Sequence, residues 1–326
     1  MTYGSFPILF ITATRIGDAV LASGLIRRLT DEVPEASFTI VCGAAAAPLF
    51  ADVPHLEEII VLNKAPMAGH WFGLWRRARR RRWGLIVDLR GSAISRFLHR
   101  KRRAVFRRVA GEPVHKVVEA ARLLNLEDDP PAPYLYTSEE TEAAAAALTA
   151  GFGPILALAP AANWVGKTWP IERFAQLAMQ LLGQRGPLAG GRLMVLGGPE
   201  DTGVMQTLRH VVGKERIIDL VGKTDPLTAF ACLKRARIFV GNDSGLMHLA
   251  AAAGAPTLGL FGPSDERLYA PWGPSTAVVR GGREFDQIRA VDPDFQQELC
   301  HMMDLSAETV VAAAVKLLSE TETAHG

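Results

Sequence analysis

Cysteine is scarce in this chain. Cys42, Cys232 and Cys300 are the three present, far apart and with no Cys-x-x-Cys pair. That excludes a disulfide framework and argues against zinc knuckles, leaving packed thiols as the expectation. An apolar run long enough to cross a bilayer is also missing. Two long uncharged windows, 143–166 and 244–264, are broken by Gly151, Gly153, Pro154 and Pro160, and by Gly254, Pro256, Gly262 and Pro263. Each therefore reads as helix plus strand rather than as a span. No basic stretch precedes the first apolar segment, Pro7–Ala13, which has the length of a strand. No leader is expected, and the reading is a soluble, cytoplasmic protein. Short-period repeats are absent, and so is low complexity beyond Ala143–Ala147.

Several chemistries lack their motifs as well. The loop after the first strand, Thr14-Arg15-Ile16-Gly17-Asp18, has no Gly-x-Gly-x-x-Gly, which disfavours a dinucleotide site in that half. There is no Walker lysine motif and no paired-histidine spacing, so no metal site is predicted.

What is present is 326 residues, 48% hydrophobic and 21% charged, a composition for about two globular domains. The net charge of +2 hides an asymmetry. Between Arg76 and Arg108 stand 14 Lys/Arg and one acid, Asp88, a local balance of +13, so the rest of the chain is near −11. Such a contrast points to an acidic partner for one patch.

Short apolar runs alternate with helical patterns. Strands are predicted at Pro7–Ala13, Ser37–Cys42, Glu57–Leu62, Gly84–Leu89 and Arg103–Arg107, with helices at Asp18–Thr30, Met67–Arg82 and Val114–Asn125. The run Asp129-Pro130-Pro131-Ala132-Pro133 breaks the pattern. Thr137-Ser138-Glu139-Glu140 then opens an alanine-rich helix that Gly151 and Gly153 close. The alternation restarts with strands at Ile155–Ala159, Arg192–Leu196, Arg216–Leu220, Arg237–Gly241 and Pro256–Phe261. Alternation of this kind predicts an α/β class with doubly wound parallel sheets, in two domains, 1–150 and 151–326, joined near 130–153.

In open parallel sheets, ligands sit beyond the carboxyl ends of strands, near helix N-termini. Four post-strand loops are therefore candidates. Asn242-Asp243-Ser244-Gly245 opens a helix with His248 one turn on. Read structurally this is a capped helix with a packed histidine. Read chemically it is a phosphate site, with Gly245 letting backbone approach the anion. A serine-protease reading has little behind it, because Ser244 and His248 on one helix lack in-line geometry. Lys167, before Trp169-Pro170, suits a diphosphate as a point charge. Gly197-Gly198-Pro199-Glu200-Asp201 is the third loop. In the first, Asp18 is either a helix cap or a carboxylate able to take a proton from a hydroxyl.

These residues resemble a known set. Ile8–Leu29, Lys167-Thr168-Trp169-Pro170 and above all Leu220–Pro274 are similar to glycosyltransferase family 9, the heptosyltransferases of lipopolysaccharide synthesis. The resemblance implies a GT-B architecture, two Rossmann-like domains facing across a cleft, with acceptor on the N-terminal side and donor on the C-terminal side. It implies inverting transfer, typically of heptose from ADP-heptose, to the lipopolysaccharide core or lipid A acceptor. No metal and no cofactor are implied, since the nucleotide sugar is a substrate. Asp18 matches the general base, Lys167 the donor-phosphate contact, and Asp243, Ser244, Gly245 and His248 the donor loop and helix. Glu200 falls near an acid that contacts the nucleoside. Thr12-Ala13-Thr14-Arg15 and Pro160-Ala161-Ala162-Asn163 depart from the commoner family runs.

The resemblance also suggests a partner for the basic segment. Arg76, Arg77, Arg79, Arg80, Arg81 and Arg82 end a helix bearing Trp71, Phe72 and Trp75, and Arg96, Arg100, Lys101, Arg102 and Arg103 follow. One reading is a solvated helix end. The other is docking on an anionic glycolipid acceptor or on the cytoplasmic face of the inner membrane. Nucleic acid is disfavoured for want of an aromatic stacking module. Rival functions are a nucleotide-sugar 2-epimerase sharing the two-domain plan and a non-catalytic sugar-nucleotide-binding protein.

Overall fold

Strands covered on both faces read as unbroken apolar runs rather than alternating ones. Ile8, Leu9, Phe10 and Ile11 are all fully buried, and every residue of Ile155–Ala159 is buried too. The computed structural model describes residues 5–63, 69–107, 111–295 and 298–323. They divide into two units, Met1–Ser138 and Glu139–Gly326.

In the first unit, β1 (Phe6–Ile11), β2 (Ala36–Cys42), β3 (Leu56–Val61), β4 (Trp83–Asp88) and β5 (Arg100–Val105) form a parallel sheet in the order β3-β2-β1-β4-β5. Its helices are α1 (Ile16–Leu21), α2 (Gly24–Glu32), α3 (Gly69–Ala78) and α4 (Lys116–Ala121). The helix predicted over Asp18–Thr30 is two helices. Ser23 Oγ donates to Val20 O at 2.7 Å and accepts from Tyr134 N at 2.9 Å, which breaks the run. Residues 131–132 pass so close that a Cβ on Gly24 would lie 2.4 Å from their carbonyl oxygens. The N-terminal part of the predicted helix at 67–82, Met67 included, lies outside the described residues.

The second unit opens with α5 (Glu139–Leu148). Its sheet comprises β6 (Ile155–Ala159), β7 (Arg192–Val195), β8 (Ile217–Asp219), β9 (Ile238–Asn242), β10 (Thr257–Phe261) and β11 (Thr276–Arg280). The order is β11-β10-β9-β6-β7-β8, again parallel. The helices that follow are α6 (Ile171–Leu182), α7 (Val204–Val212), α8 (Pro226–Leu233), α9 (Gly245–Ala252), α10 (Glu266–Tyr269), α11 (Phe285–Val291) and α12 (Ala307–Thr323). Their apolar faces, Phe174, Leu177 and Leu181 of α6 and Val310, Ala314 and Leu317 of α12 among them, meet Leu156, Leu158 and Val240 in one core.

Three differences from the sequence expectation have physical causes. The alanine-rich helix, placed in the first half by sequence, packs in the second unit. Glu142 pairs with Lys234 and Arg235 just beyond α8, at 2.7 and 3.2 Å. At the other end of α5, the Arg192 guanidinium takes the carbonyls of Thr149, Ala150 and Phe152. The boundary therefore falls at Ser138/Glu139 rather than at 150. Second, the fifth strand is Arg100–Val105, not Arg103–Arg107, so the basic run is itself the strand. It lies at a sheet edge, where charged side chains blunt pairing with other chains. Third, β11 was not predicted. Only Val279 among its residues is buried, so it lacks the apolar signature of the inner strands.

Burial also settles the cysteines at the two inner positions. It pushes the Cys42 and Cys232 thiols up to about 11.

Candidate active site

In each sheet the strand order reverses at one point. In the second unit that point lies between β6 and β9, which are neighbours although far apart in sequence. The loop after β6 carries Lys167, and the loop after β9 carries Asp243 and Ser244. Asn242, fully buried at the end of β9, ties them together. Its Nδ2 donates to Pro160 O at 2.7 Å, and its Oδ1 accepts from Trp169 N at 3.1 Å. Sequence reasoning named Asn242 in this loop but gave it no role. The signal was a lone amide closing the apolar run Ile238-Phe239-Val240-Gly241.

Across this bridge, Lys167 Nζ lies 3.1 Å from Asp243 Oδ2, with the two side chains only 15% and 10% exposed. Asp243 Oδ1 stands 4.0 Å from His248 Nε2, and His248 is buried. An ammonium has three protons to donate. The carboxylate aims the lysine with one of them and leaves two for an anion. Ser244 is the N-cap of α9 in extended conformation (φ −154°, ψ 171°), yet its side chain makes no capping bond. Its Oγ is buried and has no hydrogen-bond partner among the described residues. The first amides of a helix have no intrahelical partner either. A buried hydroxyl left unsatisfied costs about 1–3 kcal/mol. A lysine, an unused hydroxyl and open amides at one strand-order reversal are the groups with which an anion can be held. Since Ser244 Oγ has no hydrogen-bond partner among the described residues, it forms no couple with His248.

Glu200 occupies the next loop, after β7, in the short turn Pro199–Asp201, where it is exposed. The turn is closed by Asp201, whose Oδ2 accepts from Gly198 N at 2.7 Å. Burial holds the Asp201 carboxyl above its ordinary range. Lys167, Asp243, Ser244, Gly245 and His248 are thus brought together, with Glu200 one strand further along the same sheet end.

In the first unit the reversal lies between β1 and β4. Asp18 follows β1 and is half-buried in the first turn of α1. It is not the cap. That position belongs to Arg15, in extended backbone and without a side-chain capping bond. Asp88 ends β4, fully buried, its Oδ1 accepting from Arg90 N at 3.1 Å and its Oδ2 from Ser92 Oγ at 2.5 Å. Burial pushes this carboxyl up, opposed by those bonds. The turn it holds forms one side of a cavity of about 430 Å³ lined by Ser92, Arg96, Arg103, Phe106, Arg107 and Leu123, among others.

The basic segment does not form one patch. Residues 76–82 run from the last turn of α3 to the amino end of β4, the opposite end of the sheet from Asp18. Arg77 pairs with Glu58 and Arg81 with Glu57, both near the start of β3. Arg81 also reaches Ser37 Oγ near the start of β2 at 3.4 Å and holds the Glu57 carboxyl below its usual range. Arg79 lies over the Trp75 ring, 4.5 Å from its centroid. Arg100 starts β5 at that same end. Arg103 and Arg107 stand toward the carboxyl end, where Arg96 joins them around the cavity. Sequence proximity merged two groups that the β-strand rise separates.

Two doubly wound parallel-sheet units have the GT-B architecture, and the family match makes this chain a glycosyltransferase. The chain belongs to glycosyltransferase family 9 (heptosyltransferase), whose model matches residues 74–296. It is 24% identical over 356 residues to lipopolysaccharide heptosyltransferase 2 of Salmonella typhimurium, covering 96% of this chain and 99% of that one. Its structure is similar to a family 9 glycosyl transferase of Veillonella parvula, with TM-score 0.79 and 20% identity over 98% of this chain and 99% of the other. It is also similar to the E. coli ADP-heptose lipopolysaccharide heptosyltransferase II, with TM-score 0.75 and 21% identity over 97% and 99%.

Proposed function

We propose that this enzyme moves a heptose from ADP-heptose to the lipopolysaccharide core, inverting the anomeric carbon. The observation that carries the reading is the Lys167–Asp243 pair beside the unused Ser244 hydroxyl at the N-terminus of α9. That arrangement suits a diphosphate. The heptosyltransferase relatives supply the sugar and the acceptor class.

The step is a single displacement. Asp18 takes the proton of an acceptor hydroxyl, whose oxygen forms the new bond to the anomeric carbon. The bond to the diphosphate oxygen breaks, and ADP leaves with its electrons from the opposite face. Lys167 and the first amides of α9 meet the charge that builds on the leaving group. Preorganised donors of this kind are worth roughly 10²–10³ in rate each. No metal is assigned a part.

The test is turnover of purified enzyme with ADP-heptose and a heptose-deficient core acceptor, read by mass spectrometry, with EDTA present. A product heavier by one heptose, of inverted configuration by NMR, is expected. Conversion of the donor with no acceptor present would favour the epimerase reading. Nucleotide binding without turnover on any core acceptor would favour a non-catalytic role.

The acceptor is anionic, and we assign its phosphate or carboxylate groups to the arginine-lined cavity at Arg96, Arg103 and Arg107. The enzyme works on the cytoplasmic side of the inner membrane, with the exposed arginines of residues 76–82 available to acidic headgroups. No helix among the described residues is long and apolar enough to cross a membrane. Each basic side chain near an anionic surface contributes about 1 kcal/mol, screened beyond a Debye length of about 10 Å at 0.1 M salt. Sedimentation with phosphatidylglycerol vesicles should therefore fall steeply between 50 and about 300 mM salt. Binding that ignores salt would remove the electrostatic contact.

A further inference from the structure

The residues between α11 and α12 contain a histidine that the reaction above does not use. His301 is only 2% exposed, and its Nε2 lies 2.8 Å from Asp292 Oδ2, the tautomer in which Nε2–H donates to the carboxylate. Nδ1 is buried and makes no hydrogen bond among the described residues. The rings of Trp164 and Phe295 close around it, each 6.3 Å away by centroids and edge-on. So deep a side chain cannot meet a substrate directly.

Its backbone reaches the donor loop. His301 N donates to Gly166 O at 2.9 Å, and Cys300 Sγ donates to Thr168 O at 3.4 Å. These bonds fall on the two residues that flank Lys167. A side chain at Gly166 would have to displace Trp164, since a Cβ there would sit 1.9 Å from that ring. Further along, Trp169 Nε1 donates to Leu305 O at 2.8 Å, and Arg173 donates to the carbonyls of Met302, Met303 and Leu305. Residues 300–305 thus lie along the Lys167 loop and hold it on both sides of the lysine, while Asp243 holds the ammonium end.

We propose that His301 is a positioning residue for Lys167, with the buried His301–Asp292 pair setting the segment whose bonds to Gly166 and Thr168 present the ammonium to the donor diphosphate. The proposal rests on the phosphate role of Lys167 given under the proposed function. A buried pair of this kind is weak evidence for stability and better evidence for holding one arrangement.

The test is calorimetry with ADP and with adenosine on the wild type and on His301→Phe, Asp292→Asn, Lys167→Ala and the double variant H301F/K167A. His301→Phe keeps the aromatic packing and loses the bond to Asp292. Asp292→Asn keeps an acceptor. His301→Phe should weaken ADP about tenfold and leave adenosine within about twofold. Its effect on ADP should vanish once Lys167 is alanine, and Asp292→Asn should bind ADP close to wild type. Equal losses for ADP and adenosine, or an ADP loss undiminished in the Lys167→Ala background, would overturn the positioning role while leaving the lysine's own role intact. If Lys167→Ala binds ADP as the wild type does, the underlying reading falls and this one with it. Should His301→Phe not fold, His301→Gln serves in the same cycle, with thermal melts recorded for each variant.

Discussion

Asp18→Asn is expected to lower kcat by roughly 10²–10⁴ and to leave ADP affinity within about twofold. The amide matches the carboxylate in shape but cannot take a proton. The split between rate and affinity follows from placement. Asp18 belongs to the first unit, on the helix after β1, whereas Lys167 and Asp243, to which we assign the diphosphate, belong to the second. A secondary effect needs separating. A carboxylate in the first turn of a helix is stabilised by the helix dipole, by about 0.3–1 kcal/mol. A melt of the variant therefore belongs beside its kinetics. If the asparagine enzyme turns over at more than a tenth of the wild-type rate, Asp18 is not the base.

Lys167→Ala carries the second large effect, and it should fall on binding. A hydrogen bond from a charged donor is worth about 1.5–3 kcal/mol, so ADP should weaken by about 10–100-fold. The variant also leaves Asp243 little exposed and without its cation, which sets a like charge where the diphosphate should sit. Adenosine, which lacks phosphates, should bind almost as before. Lys167→Arg is not a neutral control, because a planar fork replaces a point charge. Calorimetry with ADP, AMP and adenosine separates the outcomes. A uniform loss across all three would mean that Lys167 shapes the site rather than contacts phosphate.

The match between sequence and structure varies element by element. Ile155–Ala159 was legible to the residue, because a strand covered on both faces has nothing but apolar side chains. The segments after strands that carry Asp18, Lys167, Glu200 and Asp243 were legible as candidates, because in parallel α/β folds chemistry collects after strands. The Asp292–His301 pair was not. It joins two residues of an irregular segment that carries no period, and its meaning depends on a loop distant in sequence. The basic segment misled for the opposite reason. Its charges are close in sequence, but a strand of six residues carries them from one end of the sheet to the other.

By itself, then, the sequence determined the alternation of strand and helix, the residue types waiting at each strand end and the family they resemble, because these depend on local period and on short runs. Tertiary structure decided which strand ends are neighbours. The pairing of β6 with β9 sets Lys167 against Asp243, 76 residues later, and no local pattern encodes that contact. It likewise assigned the alanine-rich helix to the second unit through the ion pairs of Glu142, and it divided one run of arginines between two ends of a sheet. Each of these outcomes turns on a long-range contact, formed only once the sheets exist.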